Sequence, residues 1–477
     1  MKPMTKPATL AALIGATLLS ACSLAPTYQR PAAPVATSFS ANPGNRTGSA
    51  SMAAPASAAV DTGWRDYFSD PRLQQLIGAA LDHNRDLRNA VLRMEEARAQ
   101  YNIQSADRLP NVNASVSATK AKTPAFLSSG GQSTIGKRYD AGLSISAFEL
   151  DFFGRVKSLN DAALASYLAT EEARQAAQIA LVAQVAQAYF TERAYAEQYA
   201  LAQQTYAARA RTYQLTQQRA EVGASSRLDL RANETLMETA RAAALALARQ
   251  RAQAENALTL LVGQPATGVA TGALASDAQI DAMSALPEGL PSDLLTRRPD
   301  IRAAEQRLLA ANANIGAARA AFFPRISLTA AVGSSSPSLG GLFDAGSGSW
   351  SFVPQLALPI FDAGRNRANL SLAEVRKNIA VTDYEKTIQT AFREVADALA
   401  ARDYLGEQVA AQRAVQAAQA DRLSLSQLRF DNGVASTLEV LDAQRELFSA
   451  QQALIQARLL RTTSAIDLYR ALGGGLK

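Results

Sequence analysis

The 477-residue sequence holds one cysteine, Cys22, and one histidine, His83, and only 6% of its residues are aromatic. A single cysteine excludes a disulfide within the chain, and a single imidazole leaves little for metal or acid–base chemistry. No phosphate-binding glycine loop, metal-ligand spacing or nucleophile motif stands out, so catalytic residues, a bound metal and a cofactor are all expected to be absent, and an enzyme is not expected. Adjacent acids such as Glu95-Glu96 and Glu171-Glu172 point in different directions on a helix and read as solvated faces. Proline is missing from 125–264 and from everything beyond Pro359, which removes the strongest helix breaker from more than half of the chain. A formal net charge of +6 is small for this length, and the Lys and Arg residues are interspersed with acids, so nucleic acid is not an expected partner.

What is present starts at the N-terminus. Lys2 and Lys6 form a basic n-region, an apolar run follows from Ala8 to Leu19, and the segment ends in Leu19-Ser20-Ala21-Cys22. A short apolar stretch with a small residue before a cysteine is a lipoprotein export signal: the thiol is diacylated and the chain is cut before it. Residues 1–21 are therefore expected to leave as a signal peptide, and Cys22 to carry S-diacylglycerol and N-acyl (palmitate-type) lipid. Ser23, in place of Asp, directs a bacterial lipoprotein to the outer membrane. The apolar run is also short for a spanning helix, which needs roughly twenty residues. Residues 22–62, rich in Pro, Ala, Ser, Gly and Asn, read as an extended tether.

The body of the chain is written twice. At an offset of 214, Asn84-Arg85-Asp86-Leu87-Arg88 matches Arg298-Pro299-Asp300-Ile301-Arg302, and Pro110 matches Pro324. At an offset of 210, Gly154-Arg155 matches Gly364-Arg365, Val185-Ala186 matches Val395-Ala396, and Leu215, Arg219, Gly223, Ser226 and Leu228 match Leu425, Arg429, Gly433, Ser436 and Leu438. Two structural repeats follow, 63–263 and 293–473, with a linker at 264–292 and a short tail at 474–477.

Each repeat has the same order of patterns. Residues 73–108 and 294–323 read as one helix each, ended by Pro110 and Pro324. Alternation then takes over. Val112, Ala114, Val116 and Ala118 alternate with polar residues, as do Ile326, Leu328 and Ala330; after a Ser/Gly-rich loop come Tyr139-Ala141-Leu143-Ile145 and Trp350-Phe352-Pro354-Leu356. Runs of about ten residues suit a tilted strand crossing a bilayer. Residues 155–222 then contain neither Gly nor Pro and would make a helix on the order of 100 Å long at 1.5 Å per residue. Turns at Gly223 and Gly433 return the chain as helices over 228–262 and 438–472.

The expected fold class is thus a membrane β-barrel plus a long α-helical barrel, with four strands and long helices per protomer. Four strands cannot close in lipid, where each unpaired backbone group costs several kcal/mol, so the barrel closes only in an oligomer. Three copies supply about twelve strands, enough for an aqueous path, whereas two supply about eight, nearly filled by side chains. A homotrimeric conduit is the expected function.

At this point the sequence is similar, over nearly its full length, to outer-membrane efflux channels of the TolC superfamily, closest to the lipidated OprM type. The resemblance is carried by Gly63-Trp64-Arg65, Leu73-Gln74-Gln75-Leu76-Ile77, Glu149-Leu150-Asp151-Phe152-Phe153-Gly154-Arg155, Leu290-Pro291-Ser292-Asp293-Leu294-Leu295, Arg297-Arg298-Pro299-Asp300-Ile301, Ala317 to Pro324 and Leu441-Asp442-Ala443-Gln444-Arg445. It implies a lipid-anchored homotrimer in the outer membrane that extends into the periplasm. There it would join a periplasmic adaptor (membrane fusion) protein and an inner-membrane RND pump, and pass drugs and other amphipathic compounds.

In this family the periplasmic turns dock the adaptor, which assigns Val222, Gly223 and Ala224 in the first repeat and Gly433 and Val434 in the second. The resemblance also implies a charged and polar closure near these turns, with Arg219, Glu221, Arg227, Asp229, Gln427, Arg429 and Asp431 as candidates. One departs from the family pattern: Gln427 stands where a carboxylate is common, which argues against an acidic ring at that level. Two other readings stay open on the residues alone. One is a conduit of the same superfamily for protein secretion; the other is a peripheral lipoprotein without a pore.

Overall fold

The computed structural model describes residues 24–36, 62–128, 130–265, 276–284 and 297–476. In chain order the elements are helices α1 (Trp64–Tyr67), α2 (Pro71–His83) and α3 (Arg85–Ala106), strands β1 (Val112–Thr123) and β2 (Thr134–Leu150), and helices α4 (Arg155–Glu221), α5 (Arg227–Val262) and α6 (Asp277–Ser284). The second half follows with α7 (Pro299–Ala320), β3 (Arg325–Ser336), β4 (Gly348–Ala357), α8 (Arg365–Asp431) and α9 (Thr437–Ala471). The duplication is visible in the backbone: α4 and α8 are both 67 residues long, and both of their ends are offset by 210. No helix among the described residues is long and apolar enough to cross a membrane.

One expected helix is broken. Residues 73–108 form α2 and α3, separated at Asn84, whose backbone is extended at φ −62°, ψ 131°. Its side chain makes the break favourable. The Asn84 Oδ1 accepts from the Leu87 N–H at 2.8 Å, capping α3, while Nδ2 donates to the Leu261 carbonyl at 2.8 Å. Gly263 comes equally close. It ends α5 in the left-handed region at φ 77°, and a Cβ there would lie 2.3 Å from the His83 carbonyl oxygen.

The chain forms two compact units, each drawing on both repeats. One comprises 33–92, 172–302 and 386–477 as far as these are described. It has a conventional apolar core in which Phe68, Leu73, Ile77, Tyr189, Leu258, Ile466 and Tyr469 are almost wholly buried. Tyr67 stacks on Tyr469 at 3.9 Å and donates its hydroxyl to the Ala465 carbonyl at 2.8 Å, so the phenol's polar end is satisfied where it is buried. Burial also pushes the Tyr67 hydroxyl's pKa up. Asp70 caps α2 through the Arg72 and Leu73 N–H groups and accepts the Tyr189 hydroxyl at 2.7 Å, tying α2 to α4. Between α4 and α5, Glu192 is fully buried and held by Arg251 at 2.9 Å; burial raises its pKa against the opposing pull of that guanidinium.

The other unit comprises 1–32, as far as described, with 93–171 and 303–385. Its centre is one antiparallel sheet in the order β1-β2-β3-β4. The sheet leaves β1 and β4 as open edges. Every residue of β4 and all but the last of β1 are exposed.

Residues 24–30 run along one face of α7. The Arg30 guanidinium and the Tyr28 hydroxyl donate to Glu305, Asn312 donates to the Pro26 carbonyl at 2.7 Å, and Gly316 leaves room for the Ala25 backbone. The composition of this stretch gave no sign of such contacts. Cys22 and the rest of the signal segment lie outside the described residues.

Candidate functional site

The sheet is two-faced. In antiparallel pairs, directly opposite residues share a face, so the register sorts every side chain. Val112, Ala114 and Val116 pair with Ile145, Leu143 and Ala141; Leu143, Ile145, Phe148 and Leu150 pair with Val332, Ala330, Leu328 and Ile326; and these pair in turn with Trp350, Phe352, Pro354 and Leu356. All of these lie on one face. The opposite face carries Asn113, Ser115, Ser117, Asp140, Ser144, Glu149, Ser327, Thr329, Ser351 and Gln355.

A bulge keeps this sorting intact. In β2 the apolar residues switch from odd positions, Leu143 and Ile145, to even ones, Phe148 and Leu150, and the register slips between Ile145 and Phe148 at just this switch. Ala147 takes φ 50° there, and its N–H is satisfied by the Thr329 hydroxyl at 3.1 Å. Without the extra residue, half of β2 would turn its apolar side chains to the polar face.

Among the described residues, much of the apolar face is left uncovered. Val116 and Trp350 are each 80% exposed, and Phe352 and Leu356 are about two-thirds exposed. A contiguous exposed apolar surface of this kind, backed by a polar face, is built for lipid outside and water inside. At the foot of the sheet, Glu149 binds Arg155 through both oxygens at 2.7–2.8 Å and also Arg325 at 2.6 Å, bridging β2, β3 and the start of α4.

The second feature is the pair of helix turns, both in the helical unit. Gly223 and Gly433 adopt φ 77° and 71°. In each turn the glycine N–H returns to a carbonyl three residues back, and the next N–H reaches five residues back: Ala224 to Arg219 at 2.7 Å and Val434 to Arg429 at 2.9 Å. These are matching left-handed helix ends. They differ at the following helix. Ser226 caps α5 by accepting from the Asp229 N–H at 3.0 Å and donating to its carboxylate at 2.6 Å, whereas the Ser436 side chain makes no capping bond to α9.

Of the residues singled out from the sequence, Arg219, Gly223, Ala224, Asp229, Gln427 and Asp431 come together around one cavity of about 780 Å³ between the two hairpins. Gln427 Nε2 donates to Asp431 at 3.3 Å. Glu221 and Arg227 are exposed at the first turn and do not line that cavity, and Arg429 is directed instead to Glu439 at 3.4 Å. Val222 and Val434 project into solvent at 80% and 69% exposure, with Leu228 and Leu438 equally bare.

Three polar residues escaped the sequence reading of this end. Asp442 accepts from Arg422 at 2.8 Å and from Arg445 at 2.6 Å, joining α8 to α9. The signal was present, since Asp442 and Arg445 lie in a motif that carried the family resemblance, but nothing in their spacing showed that Arg422, twenty residues earlier, faces them. Arg209 was also missed. It is buried, bonds only the Leu236 carbonyl among the described residues, and lies over the Phe448 ring at 5.6 Å; burial lowers its pKa.

Comparisons with known proteins agree with this geometry. A family model described as "Outer membrane efflux protein" matches residues 76–264 and 290–474. The chain is 50% identical over 474 residues to the outer membrane protein OprJ of Pseudomonas aeruginosa, covering 99% of this chain and 97% of OprJ. It is 49% identical to the toluene efflux pump outer membrane protein TtgC of Pseudomonas putida, covering 99% and 96% of the two chains. The crystal structure of the open state of the Neisseria gonorrhoeae MtrE outer membrane channel matches with a TM-score of 0.82 at 42% identity, covering 96% of this chain and 99% of that one. The fold class is that of the TolC-superfamily channels, a β-domain and a helical barrel that close as a trimer. The chain belongs to the outer membrane efflux protein family, as an efflux channel of the bacterial outer membrane.

Proposed function

We propose that three copies of this chain form a passive conduit that receives small amphipathic compounds, drugs and solvents among them, from a periplasmic adaptor and an inner-membrane RND pump. The observation that carries this reading is the sheet with one lipid-suited face, one polar face and two unpaired edges: it is stable in a membrane only when other copies complete it. The polar face then lines water. Energy enters at the pump, because the channel's own residues offer gating but no chemistry.

The glycine turns are the adaptor's docking points in this reading. Val222, Val434, Leu228 and Leu438 present apolar tips beside each turn, and exposed apolar residues around a rigid turn suit a helical partner. The cavity between the hairpins, with Arg219, Asp229, Gln427 and Asp431, is the place where the aperture is narrowed. Acylated Cys22 anchors the assembly, and residues 24–30, bound along α7, fix where that anchor emerges.

The test is complementation of a strain lacking the gene. The wild-type chain should restore drug resistance and conduct in planar bilayers. A chain that conducts and restores secretion of a protein substrate but not drug resistance would favour the secretion conduit, and trimers without conductance would favour a lipoprotein without a pore. Cys22→Ser should abolish labelling by radioactive palmitate; persistence of the label would remove the anchor from the account.

A further inference from the structure

The repeat turns one junction inside the chain into a template for a junction between chains. Strand β2 ends the first repeat's hairpin and β3 begins the second's, so their pairing joins repeat one to repeat two. Around a closed barrel the remaining junction, β4 to β1 of the next copy, joins repeat two to repeat one. Its two strands are the counterparts of β2 and β3.

The correspondence can be written residue by residue. Below the bulge, Phe148, Glu149 and Leu150 match Leu358, Pro359 and Ile360 at the offset of 210, and Ile326 and Leu328 match Val112 and Ala114 at 214. Within the chain Phe148 pairs with Leu328 and Leu150 with Ile326. Transposed, Leu358 stands opposite Ala114 of the next copy, and Ile360 opposite its Val112. Above the bulge, Ile145 and Leu143 pair with Ala330 and Val332, which places Leu356 opposite Val116 and Pro354 opposite Ala118.

Three independent features agree with this register. The first is face: Pro354, Leu356, Leu358 and Ile360 fall on the apolar side of β4's alternation and Val112 to Ala118 on that of β1, so the register continues the apolar face across the junction, and a slip of one residue would not. The second is length. β2 runs to Leu150, but β4 stops at Ala357, three residues short of the matching Ile360, as a strand does when its partner is missing. The third is exposure: Ile360 is 94% exposed, Leu358 50% and Val112 58%, apolar surface that a lone chain leaves bare.

We propose that β4 pairs antiparallel with β1 of the neighbouring copy in the register Leu356–Val116, Leu358–Ala114 and Ile360–Val112, and that 358–360 become strand on assembly. This rests on the trimer reading above. The junction differs from its template in one respect. The internal one is clamped by Glu149 and Arg325, whose counterparts are Pro359 and Asn111, so the contact between copies is held by backbone pairing and apolar contact without an ion pair.

The test is disulfide formation in the full-length protein, purified in detergent. Opposite residues on paired strands have Cβ atoms about 5 Å apart, close enough to oxidise with small adjustment, whereas a two-residue slip leaves them about 7–8 Å apart, beyond the reach of an unstrained disulfide. Leu356→Cys combined with Val116→Cys should give a heat-stable covalent trimer under oxidation that reverts with reductant. The slipped combinations, Leu356→Cys with Ala114→Cys or with Ala118→Cys, and each single variant should give none. If the protein is trimeric by mass and a slipped pair links, or no pair links, the register is wrong. If no trimer exists in detergent for the wild type, the assembly reading itself fails. As a check on misfolding, each single-cysteine variant should keep the wild-type mass and restore drug resistance, and loss of both in all of them would also count against a junction placed here.

Discussion

The two compact units teach opposite lessons about what one chain can do alone. In the helical unit, Phe68, Leu73, Ile77, Tyr189 and Ile466 bury their side chains completely, and even the polar groups of Tyr67 and Asp70 find partners, as does one carboxylate oxygen of Glu192. In the sheet unit, Trp350, Phe352, Val116 and Ile360 are bare. One unit encloses a core within the chain, although its helices too complete a barrel only in the trimer and leave Leu245 and Leu260 exposed. The other is half of a surface, with its solvent and its neighbours supplied by the membrane and the assembly.

Substitutions can break this contrast, beginning with the largest effects. Arg251→Leu should be the most damaging, because it leaves the Glu192 carboxylate buried and unpaired at a cost of roughly 3–5 kcal/mol. Phe68→Ala should destabilise the same unit by about 3–5 kcal/mol through lost burial and a cavity. Chemical denaturation followed by circular dichroism of the helices would report both, and an unchanged midpoint for either would contradict a core complete within the chain. In the sheet, Trp350→Ala should leave that midpoint within about 0.5 kcal/mol of wild type, as surface substitutions do, while lowering the temperature at which the assembled form is lost in lipid.

Smaller effects separate the two turns. Gly223→Val and Gly433→Val each force a β-branched residue into the left-handed region and should cost about 1–2 kcal/mol locally, with no clash because nothing lies within 4 Å. Reduced drug resistance with a normal amount of trimer is the expected phenotype; unchanged resistance would detach these turns from adaptor docking. Ser226→Ala should cost about 1 kcal/mol by removing the cap of α5, and Ser436→Ala next to nothing, since its side chain caps nothing. Equal effects at the two serines would show that the turns are alike after all.

The long elements were legible in the sequence for a plain reason: absence of Pro over 67 residues, with no Gly in α4 and only Gly406 in α8, leaves the helix little competition, and period-two alternation points to a strand. The bulge at Ala147 was not anticipated, although the switch of apolar residues from odd to even positions carries it. Asn84 went unread because a single helix-breaking polar residue looks like any other in an Ala- and Arg-rich stretch; its role depends on Leu261, 177 residues away. The candidate aperture was legible in part. Arg219, Asp229, Gln427 and Asp431 line one cavity, while Glu221, Arg227 and Arg429 sit near the turns and face elsewhere, because proximity to a turn says nothing about which side of a helix a residue occupies.

The claim on which the account rests is that the sheet closes only with sister subunits. Its most direct test is the mass of the purified protein in detergent, measured by light scattering with the detergent subtracted. Three chains per particle is the predicted result; a single chain per particle that stays monodisperse after the detergent is removed would contradict it.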